Sequence, residues 1–252
     1  MKIGLFDSGV GGLTVLSQLI RYRAGCEYLY VADTAHAPFG TKSVEEVKDI
    51  ALDCIRFLRA KGADVVISAC NTAQAALMAL NAQPQANFFG ILDFDLPSDL
   101  KKVGVVATEA TVSSGVYLDK MNRIGVEVFQ RPCQELVSAI ESCAQDEKIE
   151  RIVSEAVDYM RQVGVDAIIL GCTHFPLVKH VFEGLSGGIL VLDPAELLAK
   201  KLEGLLLKNP DGKARVKFYV SSDAESFSKK VQRYGVALPY TVEEFSWGEV
   251  TT

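Results

Sequence analysis

The stretch Gly62-Ala63-Asp64-Val65-Val66-Ile67-Ser68-Ala69-Cys70-Asn71-Thr72 is echoed 102 positions later by Gly164-Val165-Asp166-Ala167-Ile168-Ile169-Leu170-Gly171-Cys172-Thr173-His174. In both copies Gly-x-Asp leads into a short apolar run, then a small residue, then cysteine followed by hydrogen-bonding side chains. A short continuous apolar run reads as a parallel strand buried on both faces. Each cysteine is therefore expected just past the carboxyl end of its strand, the edge at which open α/β sheets bind ligands. Two thiols at equivalent ends of two related units can approach one small molecule from opposite sides. That geometry suits moving a proton from one face of a carbon to the other.

The repeat reaches further. Ile3-Gly4-Leu5-Phe6 leads to Asp7-Ser8, and 100 positions on Val103-Gly104-Val105-Val106 leads to Ala107-Thr108. Two similar half-chains follow, roughly 1–92 and 93–207, with the turn-rich Asp93-Phe94-Asp95-Leu96-Pro97-Ser98-Asp99 as the crossing point. Strand-like runs alternate with helix-like stretches, the pattern of an α/β fold. The strands are expected at Ile3–Phe6, Tyr28–Ala32, Val65–Ser68, Phe88–Ile91, Val103–Ala107, Val126–Gln130, Ala167–Leu170, Ile189–Leu192 and Val216–Val220. Ser43-Val44-Glu45-Glu46 has capping-box spacing and predicts a helix running toward Lys61. Glu147 to Val163 reads as another, and Pro194 suits the first turn of a helix after Asp193. The tail after Asn209-Pro210-Asp211-Gly212 holds one strand and one helix, too little for its own core. It is expected to pack back on the first half, giving one domain of 1–92 plus 208–252 and a second of 93–207.

A chain of 252 residues can bury a sizeable core. Its formal net charge of −6 argues against non-specific nucleic-acid binding. No apolar run approaches the roughly 18 residues of a membrane span. The first residues, Met1-Lys2-Ile3-Gly4-Leu5-Phe6-Asp7, read directly into a strand rather than a secretory segment, so a cytoplasmic location is expected. The six cysteines (26, 54, 70, 133, 143 and 172) include no C-x-x-C pair, which suits reduced cytosolic thiols rather than a disulfide framework.

A thiol ionises near pH 8.5, close enough to neutrality to serve as acid or base once its surroundings tune it. Cys26, Cys54, Cys133 and Cys143 read as small apolar core residues. Cys70 and Cys172 do not, because Ala69/Asn71/Thr72 and Gly171/Thr173/His174 look like the walls of a polar pocket. Asp7-Ser8-Gly9-Val10-Gly11-Gly12 can aim backbone N–H groups at an anion such as a carboxylate, or equally form a tight turn capped by Asp7 or Ser8. Gly9-x-Gly11 is followed by Thr14 where a dinucleotide fingerprint needs glycine, and no phosphate loop is present. The loop from Ala32 to Ser43 is long for a compact domain, and such loops are often functional. His174, two residues after Cys172, suits a partner that tunes the thiol or binds substrate. Without a second close pair of ligands, zinc is not expected. His180 belongs on the next helix, and Glu141, taken alone, is a solvated helix residue.

Several segments together resemble the cofactor-independent glutamate racemases of the aspartate/glutamate racemase superfamily. They are Ile3 through Gly12, Ala32-Asp33-Thr34 through Pro38-Phe39-Gly40-Thr41-Lys42-Ser43, Ala69-Cys70-Asn71-Thr72-Ala73, and Leu170-Gly171-Cys172-Thr173-His174-Phe175-Pro176-Leu177, in the family order. The tail Phe218-Tyr219-Val220-Ser221-Ser222-Asp223-Ala224-Glu225-Ser226-Phe227 is similar to that family's carboxyl-terminal segment. The resemblance implies two open parallel-sheet α/β domains related by a pseudo-twofold axis, with the active site in the cleft between them. It implies Cys70 and Cys172 as opposed acid and base, and Asp7, Ser8, Phe39, Gly40, Asn71, Thr72, Thr173 and His174 around the substrate. Thr111 is implied as a carboxylate contact from the second half, Glu141 as the partner of His174, and Asp7 and His174 as proton-transfer supports. It further implies glutamate as substrate, no cofactor or metal, a homodimer, and a role in supplying D-glutamate for peptidoglycan. His36 stands where the family usually has arginine, Phe39 where it has tyrosine, Asp93-Phe94 where it has Glu-Pro, and Asp193-Pro194 where it has a small polar pair. The alternatives are an aspartate racemase or related two-thiol isomerase, a non-enzymatic thiol redox or binding protein, and a nucleotide-binding module.

Overall fold

The structure, a computed structural model, describes residues 1–22, 25–84, 86–142, 144–203 and 214–249. Cys143, the Asn209-Pro210-Asp211-Gly212 turn and the 207/208 boundary lie outside the described residues. Ten parallel strands are described: β1 (Lys2–Asp7), β2 (Glu27–Ala32), β3 (Val65–Ser68), β4 (Phe88–Gly90), β5 (Lys102–Ala107), β6 (Glu127–Pro132), β7 (Ala167–Gly171), β8 (Leu190–Leu192), β9 (Arg215–Val220) and β10 (Tyr240–Glu244). They form two sheets, of order β10-β9-β2-β1-β3-β4 and β6-β5-β7-β8. The first four strands are arranged 2-1-3-4, and β5 to β8 repeat that arrangement. The echo between the half-chains is thus an echo of topology.

The helices are α1 (Leu13–Tyr22), α2 (Val44–Ala60), α3 (Asn71–Ala79), α4 (Glu109–Ser113), α5 (Val116–Arg123), α6 (Gln134–Glu141), α7 (Asp146–Val163), α8 (Lys179–Leu185), α9 (Pro194–Glu203) and α10 (Ala224–Tyr234). The central strands are buried on both faces, as continuous apolar runs require. Successive side chains of a strand point to opposite faces, so Ile3 and Leu5 enter one core while Phe6 enters another. The first of these cores continues through both sheets: it joins Leu16 of α1, Tyr117 of α5, Leu198 of α9 and Phe227 of α10 with Val103, Val105 and Ile169. The outer face of the first sheet is covered by α2 and α3, and that of the second by α6, α7 and α8. Truncating a core residue such as Leu5 to alanine would cost about 2–5 kcal/mol.

Helix α2 opens on the expected capping box, in which Ser43 Oγ accepts from Glu46 N and the Glu46 carboxylate accepts from Ser43 N at 3.0 Å. The tail packs on the first half as expected, since β9 pairs with β2. It holds two strands rather than one. Tyr240 and Val242 alternate with exposed Thr241 and Glu243 along β10, which extends the sheet beyond β9. An edge strand can carry such charge because one of its faces meets water, and edge charge also discourages pairing with other chains.

Candidate active site

Parallel register sets Phe6 beside Ser68 and Ala107 beside Gly171. The segments that leave these strands therefore emerge together, Asp7-Ser8 next to Cys70 in one sheet and Thr108 next to Cys172 in the other. Cys70 and Cys172 are both buried and line a single cavity of about 40 Å³. Ser8, Phe39 and Gly40 line it from the first half, as do Asn71 and Thr72 at the start of α3. Thr173 and His174 line it from the second half.

Asp7, Thr111 and Glu141 do not line that cavity. Asp7 lies fully buried beneath it, and its Oδ2 accepts from Gly12 N at 2.7 Å, so the carboxylate holds the glycine turn. Thr111 is also fully buried, one helical turn behind the wall. The wall position belongs to Thr108, whose hydroxyl caps α4, accepting from Thr111 N at 3.2 Å and donating to Thr111 Oγ1 at 2.9 Å. With that proton committed, the 3.4 Å contact between Thr72 Oγ1 and Thr108 Oγ1 has Thr72 as donor, and it bridges the two halves. Thr108 is marked in the sequence only by the 100-residue offset that aligns it with Ser8.

Three more residues of the wall were not singled out from sequence: Pro38, Gln134 and Val137. Gln134 stands out because its buried Oε1 has no hydrogen-bond partner. Tyr117, also buried, reaches across from α5 and donates to Asn71 Oδ1 at 2.9 Å.

The two thiols have different supports. Cys70 is the N-cap residue of α3, where the backbone N–H groups of Thr72 and Ala73 favour its charged form. Burial outweighs them, and with the charge of Asp7 it pushes the Cys70 thiol well above its ordinary range. Burial likewise raises Asp7, against the charge of His174 and the hydrogen bond from Gly12. Asp7 Oδ1 has no partner at ordinary hydrogen-bond geometry, and the nearby thiol offsets only part of its burial.

Cys172 has His174 instead, with Sγ and Nδ1 3.8 Å apart, and His174 Nε2 lies 2.7 Å from Glu141 Oε1. Burial disfavours a charged His174, but its contacts with Cys172 and Glu141 prevail and raise it to about 10. Burial would also raise Glu141, but the hydrogen bond and charge of His174, then those of Lys230, bring it down to about 2. At neutral pH the pair is therefore imidazolium and carboxylate, with a proton held beside the Cys172 sulfur. Glu141 is not the free, solvated helix residue that it resembles when read alone. Among the described residues no three His, Cys, Asp or Glu side chains are grouped to hold a metal ion.

The loop from Ala32 to Ser43 is held by the tail. Asp33, fully buried, accepts from Ser221 Oγ at 2.7 Å and from Trp247 Nε1 at 2.8 Å, and contacts His36 Nδ1 at 2.8 Å. These bonds hold the loop whose Phe39 and Gly40 line the cavity. Cys26, Cys54 and Cys133 are buried, as expected of core thiols.

Two open parallel sheets whose strand ends bring a pair of cysteines to one cavity place the chain among racemases of the α/β class. It belongs to the Asp/Glu/Hydantoin racemase family, whose sequence profile matches residues 11–202. A glutamate racemase from a Thermoanaerobacter species is 35% identical over 243 residues, which cover 91% of each chain. The crystal structure of a glutamate racemase isoform from Bacillus anthracis superposes with a TM-score of 0.86 at 27% identity, covering 96% of each chain. A glutamate racemase from Francisella tularensis in complex with D-glutamate gives the same TM-score of 0.86 at 29% identity, covering 97% of each chain. No described helix is long and apolar enough to cross a membrane.

Proposed function

We propose that the chain interconverts L- and D-glutamate by a two-base mechanism in which Cys70 and Cys172 work from opposite faces of the α-carbon. The observation that carries this reading is that both thiols line one cavity. The named relatives, glutamate racemases over nearly their whole length, support glutamate over aspartate. One sulfur, as thiolate, removes the α-proton, and the other, as thiol, delivers a proton to the opposite face. The reverse direction exchanges their roles. Burial favours the protonated form of Cys70, while the proton on His174 stands in reserve beside Cys172.

The α-proton of an amino acid is only weakly acidic, so developing carbanion charge needs fixed donors in a site that excludes water. Asn71, Thr72, Thr173 and the N-terminus of α3 are suited to the α-carboxylate, and Ser8, Thr108 and the backbone at Gly40 to the rest of the substrate. The unpartnered Oε1 of Gln134 is an acceptor available to the ammonium. Side chains supply both proton positions, so the scheme uses no cofactor. The working units are 1–92 with 208–252, and 93–207, a division supported by sheet membership. The family resemblance adds a cytoplasmic location, a homodimer and the supply of D-glutamate for peptidoglycan.

The test is incubation with L-glutamate in heavy water without added cofactor, following loss of circular dichroism and α-deuteration together, with aspartate in parallel. Glutamate is expected to racemise with deuterium uptake, and Cys70→Ala and Cys172→Ala to abolish turnover. Wild-type turnover in either variant would overturn the scheme, and faster exchange of aspartate would reassign the substrate.

A further inference from the structure

The mechanism above leaves one charged contact unused. Lys230, on α10, meets Glu141 Oε2, while the other oxygen of the same carboxylate holds His174. Helix α10 lies between β9 and β10, in the six-stranded sheet, whereas Glu141 ends α6, which follows β6 of the four-stranded sheet. The contact therefore joins the two halves. It does so in the wall of a cavity of about 450 Å³ that shares Ser8, Pro38, Val137 and His174 with the catalytic cavity, and so adjoins it. Lys230 and Glu141 are only about one-third exposed, at 34% and 31%. That is less than for the outer pairs of α10, such as Lys229 with Glu225 at 71% and 82%.

We propose that Lys230 is a positioning residue: by pairing with Glu141 across the mouth of the site, it holds Glu141 and His174 in line with Cys172, so that proton transfer at Cys172 depends on closure of the two halves. A carboxylate bound by one cation alone can rotate, and its second oxygen can turn to water. Gripped on both oxygens, Glu141 has one orientation, and His174 is fixed with its Nδ1 toward the sulfur. The supports of Cys70 are instead Asp7 and the start of α3. The consequence is one-sided: loss of Lys230 slows the step at Cys172 and leaves the step at Cys70 alone.

The proposal rests on the two-thiol reading, and a two-base racemase offers a direct measurement of it. The α-deuterium isotope effect on kcat/KM is measured separately for each enantiomer, in the wild type, Lys230→Met and Lys230→Arg. Lys230→Met is expected to lower kcat/KM roughly tenfold, the weight of about one charge-assisted hydrogen bond. Its isotope effect should rise for the enantiomer deprotonated by Cys172 and fall for the other, because the Cys172 step becomes more rate-limiting. Lys230→Arg, which keeps the charge, should restore most of the rate. A general loosening of the fold would not move the two isotope effects in opposite directions. Unchanged kcat/KM in Lys230→Met, or isotope effects that move together, would overturn the proposal while wild-type racemisation left the functional reading intact. Wild-type protein inert toward both enantiomers would defeat the functional reading itself, and this proposal with it.

Discussion

Tyr117 Oη donates to Asn71 Oδ1 at 2.9 Å across the junction of the two halves, and both side chains are buried. Because the amide oxygen is the acceptor, the Asn71 Nδ2 group is left to face the cavity as a donor. Tyr117→Phe removes the hydroxyl and little volume, so the core around α5 should survive. The amide then loses its orientation, and a neutral hydrogen bond of about 1 kcal/mol is lost. Steady-state kinetics should show kcat/KM lowered about three- to tenfold, through KM more than kcat, with Tm lowered by only about 2–4 °C. An unaltered KM would show that Asn71 does not meet the substrate.

Thr108 and Thr111 separate an expectation from sequence and a position in the structure. Only Thr108 lines the cavity, and Thr111 Oγ1 accepts the Thr108 proton from behind. Thr108→Val should cost about 1 kcal/mol through the lost cap of α4, and should reduce kcat/KM far more than Thr111→Val. Parallel kinetics and thermal unfolding of the two variants check this. A larger activity loss in Thr111→Val would restore Thr111 as the substrate contact.

The strands were legible where hydrophobic runs are continuous. For Val65–Ser68 the apolar run and the strand have the same limits, and most other strand ends lie one or two residues from the ends of their runs. β10 was not legible, because Glu243 and Glu244 break the apolar run of a strand that needs only one covered face. In the site, Cys70 and Cys172 were marked by a local repeat, and the structure has them lining one cavity. Lys230 and Tyr117 carry no local mark. Their partners are 89 and 46 positions away, and no periodicity within a helix encodes a contact of that range. Thr108 lay between: visible through the internal offset, but hidden when each motif was read alone.

Gly11 shows how closely the halves meet. A Cβ there would lie 2.7 Å from His174 Nδ1 and would overlap Thr173 Oγ1, both in the second half. Neither neighbour is free to retreat, since Thr173 O accepts from Thr14 Oγ1 at 3.1 Å and His174 is held by Glu141. Gly11→Ala should therefore push the His174 ring off Cys172, with a packing cost of about 1–3 kcal/mol. A displacement of about 1 Å in a catalytic group costs roughly a hundredfold in rate. The expected result is a folded protein with kcat lowered about that much, measured alongside its circular dichroism spectrum. Wild-type kcat in Gly11→Ala would mean that His174 does not need its observed place.

The Glu141–His174 pair makes stability depend on pH with a definite sign. Glu141 drops from an ordinary 4.5 to about 2, so its contribution is present above pH 4.5 and is lost as pH falls through 2. His174 rises from 6.5 to about 10, so its contribution is complete below pH 6.5 and is lost as pH climbs through 10. Glu141→Gln removes the carboxylate, and with it part of the hold on the His174 proton. The wild type should therefore lose more Tm than Glu141→Gln between pH 6.5 and 10, by about 2–4 °C for each kcal/mol in a chain of this size. The same comparison between pH 4.5 and 2 should again show the wild type falling more steeply. Thermal unfolding of both proteins across these ranges decides the matter, because parallel Tm curves would mean that the pair is not charged in the folded protein.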